Sequence, residues 1–351
     1  MRMDSYRGVR VLVTGHTGFK GVWLVQMLRI LGAEVFGIST EIGHNQPLLK
    51  NSFDSEHEFD IDIRDRWQVK DVVARIEPGL IFHLAAQSLV IESYIKPLDT
   101  FDINVTGTMN LLNAVTNGSS TLGIVVVTTD KVYLNDDSGR QFQECDPLGG
   151  LDPYSASKSC ASILLSAWRE LASLEGISII DVRAGNVIGG GDRASNRLIP
   201  DLIRAASEGN SAQIRNPQSV RPWQHVLDPL YGYLLVGQNI LRMKQISNSF
   251  NFGPSIEDEM TVSQVSQMFS NEYEYLDLKV TSNSEEMVKE SKLLRLDSTR
   301  AHSELQWKSI LSPREAVGIT IEWENFVKSG RKSPSEITEE QICQYLERLD
   351  L

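Results

Sequence analysis

Val9-Arg10-Val11-Leu12-Val13-Thr14-Gly15-His16-Thr17-Gly18-Phe19-Lys20-Gly21 is the stretch that decides the fold of this chain. Its valine-rich beginning reads as a strand buried on both faces, and Gly15, Gly18 and Gly21 follow it directly. Leu24, Leu28 and Leu31 then recur at helical spacing, and Gly32 stands where a left-handed residue would end the helix. With a second apolar run at 34–38 this makes a βαβ unit. Glycines at that turn let backbone approach a phosphate pair closely. The helix start beside them offers unpaired N–H groups and the positive end of the helix dipole. A tight turn without a ligand could use the same glycines, but a strand before and a helix after give the triplet its meaning.

The pattern extends outward. Short apolar runs at 80–84, 123–127 and 177–182, with a weaker one at 57–61, alternate with helical segments up to about residue 182. That alternation predicts an α/β fold, a Rossmann-type doubly wound parallel sheet. Beyond it the texture changes, with Gly189, Gly190 and Gly191 clustered and Pro200, Pro217, Pro222, Pro229 and Pro254 scattered. The expected division is a dinucleotide-binding domain over 1–185 and a smaller α/β substrate-binding domain over 186–224 and 251–351. An apolar segment at about 225–250 returns to the first domain, and the charged tail from Ser333 is expected to be helical.

Composition narrows the function classes. The 351 residues carry 46 acidic against 34 basic side chains, a net charge of -12, with no Lys/Arg-rich run, which argues against general nucleic-acid binding. Three cysteines far apart, Cys145, Cys160 and Cys343, support neither a disulfide framework nor a zinc site, and the six histidines show no metal-ligand spacing, so no metal is expected. No window approaches the ~18 apolar residues of a membrane span. The first seven residues lack a signal peptide's apolar run. These features predict a cytoplasmic, soluble protein that makes no membrane contact.

Gly15, Thr17, Gly18, Phe19 and Gly21 are the expected cofactor loop. At the end of the second strand, where an acidic residue would hold ribose hydroxyls, Ser39 stands instead, so that position does not separate NAD from NADP. The absence of a following arginine favours NAD. Asp62 and Ile63 are candidates for the adenine edge, although Asp62 could equally cap a helix starting near Arg64.

Tyr154 and Lys158, in Tyr154-Ser155-Ala156-Ser157-Lys158, stand one turn apart at the start of a predicted helix and so share a face. An ammonium there, with a positively charged nicotinamide, would stabilise a phenolate whose free pKa is ~10. The strand at 123–127 runs into Thr128-Thr129-Asp130-Lys131-Val132-Tyr133 at the carboxyl edge of a parallel sheet, where open α/β folds bind ligands. A solvated turn would place Asp130 and Lys131 in the same way.

These residues together resemble the extended short-chain dehydrogenase/reductases, and within them the nucleotide-sugar 4,6-dehydratases, nearest to their CDP-glucose branch. The resemblance reaches from the glycine loop to about residue 320. It includes His83-Leu84-Ala85-Ala86-Gln87, Asn104, the Thr128 to Tyr133 run, Arg183-Ala184-Gly185-Asn186-Val187-Ile188-Gly189-Gly190-Gly191-Asp192, and Arg215-Asn216-Pro217 leading to Arg221-Pro222-Trp223-Gln224-His225. It implies that Leu84, Ala85, Ala86, Gln87 and Thr128 join the NAD site. It also implies that Tyr154 takes the C4 hydroxyl proton of a hexose while C4 gives hydride to NAD, with Thr129 bonding that hydroxyl. Asp130 would protonate the departing C6 hydroxyl, and Lys131 would stand at the C5 base position, for which its pKa must be lowered. Gln87, Asn186, Arg215, Arg221 and His225 become candidates for a nucleotide-sugar substrate, the arginines as bidentate partners of its diphosphate. Arg193 and Asn196 depart from the Trp and Asp of the related run. The resemblance further implies a homodimer, or a dimer of dimers, working in deoxysugar and lipopolysaccharide biosynthesis.

Alternative readings are a GDP-, UDP- or dTDP-hexose dehydratase, a nucleotide-sugar 4-epimerase, which needs neither Asp130 nor Lys131, and a cofactor-sensing binding protein without catalysis.

Overall fold

The glycine loop leaves the carboxyl edge of a seven-stranded sheet whose strands all run parallel. The computed structural model describes residues 3–40, 56–116, 119–136, 138–214, 216–254, 259–273, 276–280 and 293–349. In chain order the first part comprises β1 (Arg10–Thr14), α1 (Phe19–Ile30), β2 (Glu34–Ser39), β3 (Glu58–Asp60), α2 (Arg66–Ile76) and β4 (Leu80–His83). It continues with α3 (Val90–Ile95), α4 (Pro97–Phe101), a π-helical stretch Asp102–Gly107, α5 (Thr108–Val115) and β5 (Gly123–Val127). After a single 3-10 turn, Asp130–Val132, come β6 (Gln141–Phe142), α6 (Pro153–Ser173), β7 (Ser178–Ala184), β8 (Val187–Ile188) and α7 (Leu198–Glu208). The remainder comprises β9 (Ala212–Ile214), β10 (Val220–Arg221), β11 (Gln224–His225), α8 (Leu227–Leu241), β12 (Ser249–Phe252), β13 (Met260–Thr261) and α9 (Val262–Glu272). The last elements are β14 (Leu278–Val280), β15 (Arg295–Leu296), α10 (Thr299–Leu305), α11 (Pro313–Lys328) and α12 (Pro334–Glu347).

The sheet order is β12-β7-β5-β4-β1-β2-β3. Strand order reverses direction between β1 and β4, which opens a crevice at their carboxyl ends. Period-two alternation fills both faces. Val11 and Val13 of β1 enter one apolar layer with Trp23, Leu24 and Leu28 of α1 and Leu230 and Leu234 of α8. Leu12 enters the opposite layer with Val69 and Val73 of α2, Leu111 and Leu112 of α5 and Leu165 of α6. A third core, with Leu202 of α7, Ile214 of β9, Val265 and Phe269 of α9 and Val317 of α11, makes a smaller lobe.

All the strands expected from sequence up to residue 182 are present within one or two residues of the expected limits. Two features went beyond the periodicity. β12, only four residues long, adds the outer strand beside β7. The helical tail does form, capped by Ser333, whose hydroxyl meets the Glu336 N–H. It packs on α11, where the Trp323 indole donates to Thr338, and it also reaches the first layer: Ile337, Ile342, Tyr345 and Leu346 join α1 and α8 there. The reason is polar as well as apolar, because the Tyr345 hydroxyl donates to the buried Asp228 of α8 at 2.7 Å.

Candidate active site

The loop after β1 is built for close approach. Gly15 takes φ +72°, and a Cβ there would fall 2.6 Å from the Ala85 nitrogen; a Cβ on Gly21 would fall 2.2 Å from the Gly15 carbonyl oxygen. Side chains at either position would force α1 away from the strand ends. Gly18 is the N-cap of α1, so the free N–H groups of the first turn, around Phe19, face the crevice. Thr17 and Ser39 join hydroxyl to hydroxyl at 2.6 Å, which brings the end of β2 to the loop. The loop's His16 is buried and meets Glu58 of β3 at 2.8 Å.

Asp62 does not cap a helix. α2 starts at Arg66, with Asp65 accepting from the Trp67 and Gln68 N–H groups at 3.0 and 3.1 Å. Asp62 instead takes a bidentate pairing from Arg64, which lowers its pKa. Ile63 is buried against Gly107, so its side chain serves the core.

After β4, the Leu84 N–H donates to the Thr14 carbonyl and the Ala85 N–H to the Thr14 hydroxyl, holding residues 84–86 beside the glycine loop. Gln87 is not free to meet a substrate: its Nε2 donates to the Thr100 hydroxyl at 2.8 Å and its Oε1 accepts from the Leu89 N–H. Asn104 fixes this loop to the α6 face, accepting from the Gln87 N–H and donating to the Gln87 carbonyl and the Ser157 hydroxyl.

The end of β5 and the start of α6 come together at the crevice. Asp152 caps α6, accepting from the Ser155 N–H at 2.9 Å, and Pro153 follows at the first helical position. Tyr154 and Lys158 project from one face. The Tyr154 phenol is buried beside the Thr129 hydroxyl; burial pushes its pKa up to about 12, and Thr129 opposes the shift. Lys158 donates to the Val127 carbonyl at 3.2 Å, and burial lowers its pKa to about 8, opposed by the charge of Asp181. The Thr129 hydroxyl donates to Asp130 at 2.9 Å. Asp130 is itself buried, which raises its pKa against the pull of Lys131, and so favours the acid form that a proton donor needs. Lys131 is partly exposed, its N–H donating to the Thr129 hydroxyl. Thr128 turns away from the crevice and gives its hydroxyl proton to Asp181 at 2.6 Å.

Two cations that the sequence patterns did not single out belong to this group. Lys20 of α1 lies 5.9 Å from the centroid of the Tyr233 ring; burial and the charge of Arg197 lower its pKa to about 8, opposed by Asp130. Arg197 pairs with Asp192 at 3.1 Å and its charge acts on Tyr154 as well. Lysine within a glycine loop was the available signal; nothing local marks Arg197, which tertiary packing brings in.

Of the substrate candidates, Asn186 is exposed next to Gly185, where a Cβ would come 3.1 Å from the Asp130 carboxylate. Arg215 lies outside the described residues. Arg221 is in β10, paired with Met260 of β13. His225 belongs to the core instead: it is fully buried, edge-on to Trp23 with centroids 5.5 Å apart, and accepts from the Leu227 N–H. Burial lowers its pKa to about 3, so it is neutral. The pairing of β11 with β8 turns its ring inward beneath Gly189. Arg193, at the variant position, forks onto the buried Glu324 of α11 at 2.7 and 2.9 Å.

The crevice has the attributes of a dinucleotide site: a cradle that Cβ atoms would fill, a helix start at the switch point, and the buried Tyr233 hydroxyl without a hydrogen-bond partner behind Lys20. Among the described residues, no cluster suited to a metal ion occurs.

Residues 12–320 match the family described as GDP-mannose 4,6 dehydratase. The CDP-glucose 4,6-dehydratase of Salmonella typhimurium is 38% identical over 337 residues, covering 91% of each chain. Two solved structures share the fold. One is the epimerase Mth375 of Methanothermobacter thermautotrophicus, with TM-score 0.81 and 21% identity, covering 93% of this chain and 95% of that one. The other is the dTDP-glucose 4,6-dehydratase of Bacillus anthracis in complex with NAD, with TM-score 0.75 and 22% identity, covering 91% and 97%.

Proposed function

The chain belongs to the GDP-mannose 4,6 dehydratase family, and on that footing we propose that it is a hydro-lyase converting CDP-D-glucose to CDP-4-keto-6-deoxy-D-glucose with NAD as cofactor. The observation that carries this reading is the buried Asp130, biased toward its acid form and hydrogen-bonded to Thr129 beside Tyr154. Oxidation and reduction at C4 alone need no such acid; loss of a C6 hydroxyl does.

Residues 15–21, Ser39 and residues 84–86 would hold NAD, which when bound would supply a reversible store for the hydride that C4 gives up and C6 receives. The protein's own side chains divide the remaining work. Tyr154 takes the proton of the C4 hydroxyl that Thr129 orients, with the Lys158 ammonium behind it lowering the cost of the phenolate. The ketone so formed acidifies C5, Lys131 stands at the position of the base that takes the C5 proton, Asp130 gives its proton to the C6 hydroxyl as water leaves, and a proton returns to C5 as C6 is reduced. Asn186, Arg215 and Arg221 are the proposed contacts to the sugar nucleotide, which locate substrate recognition in 186–224 and the neighbouring part of 251–351.

Incubation with CDP-, GDP-, UDP- and dTDP-hexoses and NAD tests the reading. A 4-keto-6-deoxy product with its alkali absorbance from CDP-glucose is expected; hexose inverted at C4 with no water lost would make the protein an epimerase instead.

The proposed assembly is a homodimer. Ile163, Leu171 and Leu174 along α6 and Ile95 and Leu98 of α3 and α4 are exposed on contiguous helices. A cytoplasmic location belongs to the same reading, and among the described residues no helix is long and apolar enough to cross a membrane.

A further inference from the structure

Behind the catalytic residues one carboxylate ties together the two elements that carry them. Tyr154, Lys158 and Ser162 recur every four residues on one face of α6. Ser162, one turn beyond the lysine, gives its hydroxyl proton to Asp181 Oδ2 at 2.9 Å. The other oxygen, Oδ1, accepts from the Thr128 hydroxyl at 2.6 Å. Thr128 sits between Val127, whose carbonyl receives the Lys158 ammonium, and Thr129, which meets the Tyr154 phenol. Arg183 completes the arrangement on Oδ2, from Nε at 2.9 Å and Nη2 at 2.8 Å. Asp181, Thr128, Ser162 and Arg183 are all buried.

We propose that Asp181 is a positioning residue for the dehydration: it clamps the end of β5 to the third turn of α6, so holding Thr129 beside Tyr154. The proposal rests on the assignment of Tyr154 and Lys158 as the oxidising pair. A buried ion pair is seldom the most stable filling of such a site, because desolvation offsets most of the attraction. The neighbouring inward positions of β7, Ile179 and Ile180, carry the apolar residues that stability alone favours. Asp181 departs from them at the point where its two oxygens reach both catalytic elements.

The charge of Asp181 also acts on Lys158, favouring its ammonium form. Lys158 faces Asp181 on β7, Lys20 on α1 and His83 on β4; Tyr154 faces Thr129 and Asp130 after β5, Arg197 before α7 and Asp152 at the start of its own helix. Burial disfavours the charged Lys158, and Asp181 is the carboxylate that opposes it. Removing the charge of Asp181 therefore releases the Lys158 proton at lower pH.

Asp181→Asn, nearly the same shape without the charge, is compared with Ser162→Ala, which cuts the helix tether and leaves the charge. Asp181→Asn should lower kcat about ten-fold or more with KM little changed. The alkaline limb of its kcat profile, where Lys158 loses its proton, should move about one unit to lower pH. Ser162→Ala should lower kcat several-fold and leave that limb in place. The 13Cε titration of Lys158 in 13C-lysine-labelled protein, assigned by its loss in Lys158→Met, reads the same shift with no substrate present. A wild-type protein inactive on CDP-glucose, with that resonance still moved by Asp181→Asn, would overturn the substrate reading and leave the clamp standing. An unmoved limb and resonance in Asp181→Asn, with only thermal stability reduced, would show that Asp181 merely pairs Arg183. Should that variant not fold, Thr128→Val and Ser162→Ala decide: wild-type kcat in both overturns the clamp.

Discussion

The Thr129 hydroxyl donates to the Asp130 carboxylate at 2.9 Å while also meeting the phenol of Tyr154. Thr129 thus stands between the residue assigned to oxidation at C4 and the residue assigned to elimination at C6. Adjacent positions in the chain reach both reactions because the strand ends and the backbone turns into a 3-10 helix between them.

Asp130→Asn should bind NAD as the wild type does and lose dehydration by about 100-fold or more. It should also be the more stable protein at neutral pH. The folded state holds the Asp130 proton more tightly than the unfolded chain, so the ionised carboxylate costs stability above the usual carboxylate range and not below it. Thermal unfolding of both proteins at pH 4 and pH 7 should show the gain at pH 7 alone; normal turnover by the variant would remove Asp130 from the mechanism.

Tyr154→Phe should reduce turnover by about 1,000-fold with the fold intact. Subtracting its ultraviolet pH titration from that of the wild type isolates the Tyr154 phenol. With no cofactor the phenol should titrate near about 12, where burial puts it, and saturating NAD should move it downward. A phenol insensitive to NAD would mean that the positive charge of the nicotinamide does not reach it.

Gly21→Ala should weaken NAD binding at least about ten-fold and destabilise the fold by about 1–3 kcal/mol, because the new methyl group would meet the Gly15 carbonyl oxygen. Calorimetric titration with NAD, alongside a denaturant melt, measures both.

His225→Ala separates packing from binding. It should cost about 2 kcal/mol or more, since the ring fills space beside Trp23 beneath Gly189, and leave KM for the sugar nucleotide unchanged. A raised KM at unchanged stability would restore His225 to the substrate site.

Much of the architecture was legible because it depends on local regularities. The β1 to α1 turn declares itself through glycines at positions where Cβ atoms cannot fit, and the strands of the central sheet read as apolar runs because both faces are covered. The Tyr154 and Lys158 pair was legible for the same kind of reason, a spacing that one helical turn makes meaningful. β12 was not: four residues carry little periodicity, and only pairing with β7 makes them a strand. Asp62 was ambiguous because two acidic residues lie near the start of α2 and the backbone, not the composition, selects Asp65 as the cap.

By itself the sequence determined the parallel α/β sheet, and it singled out the glycine loop and the Thr129, Asp130, Tyr154 and Lys158 set as candidates, since each motif rests on residues close together in the chain. Only the tertiary structure decided which side chains are free to act. It commits Gln87 to Thr100 and Thr128 to Asp181, turns His225 into the core, and brings Lys20 and Arg197 to bear on the catalytic group. Burial and partners come from segments distant in sequence, and these set both the availability of a polar group and the pH at which it holds its proton.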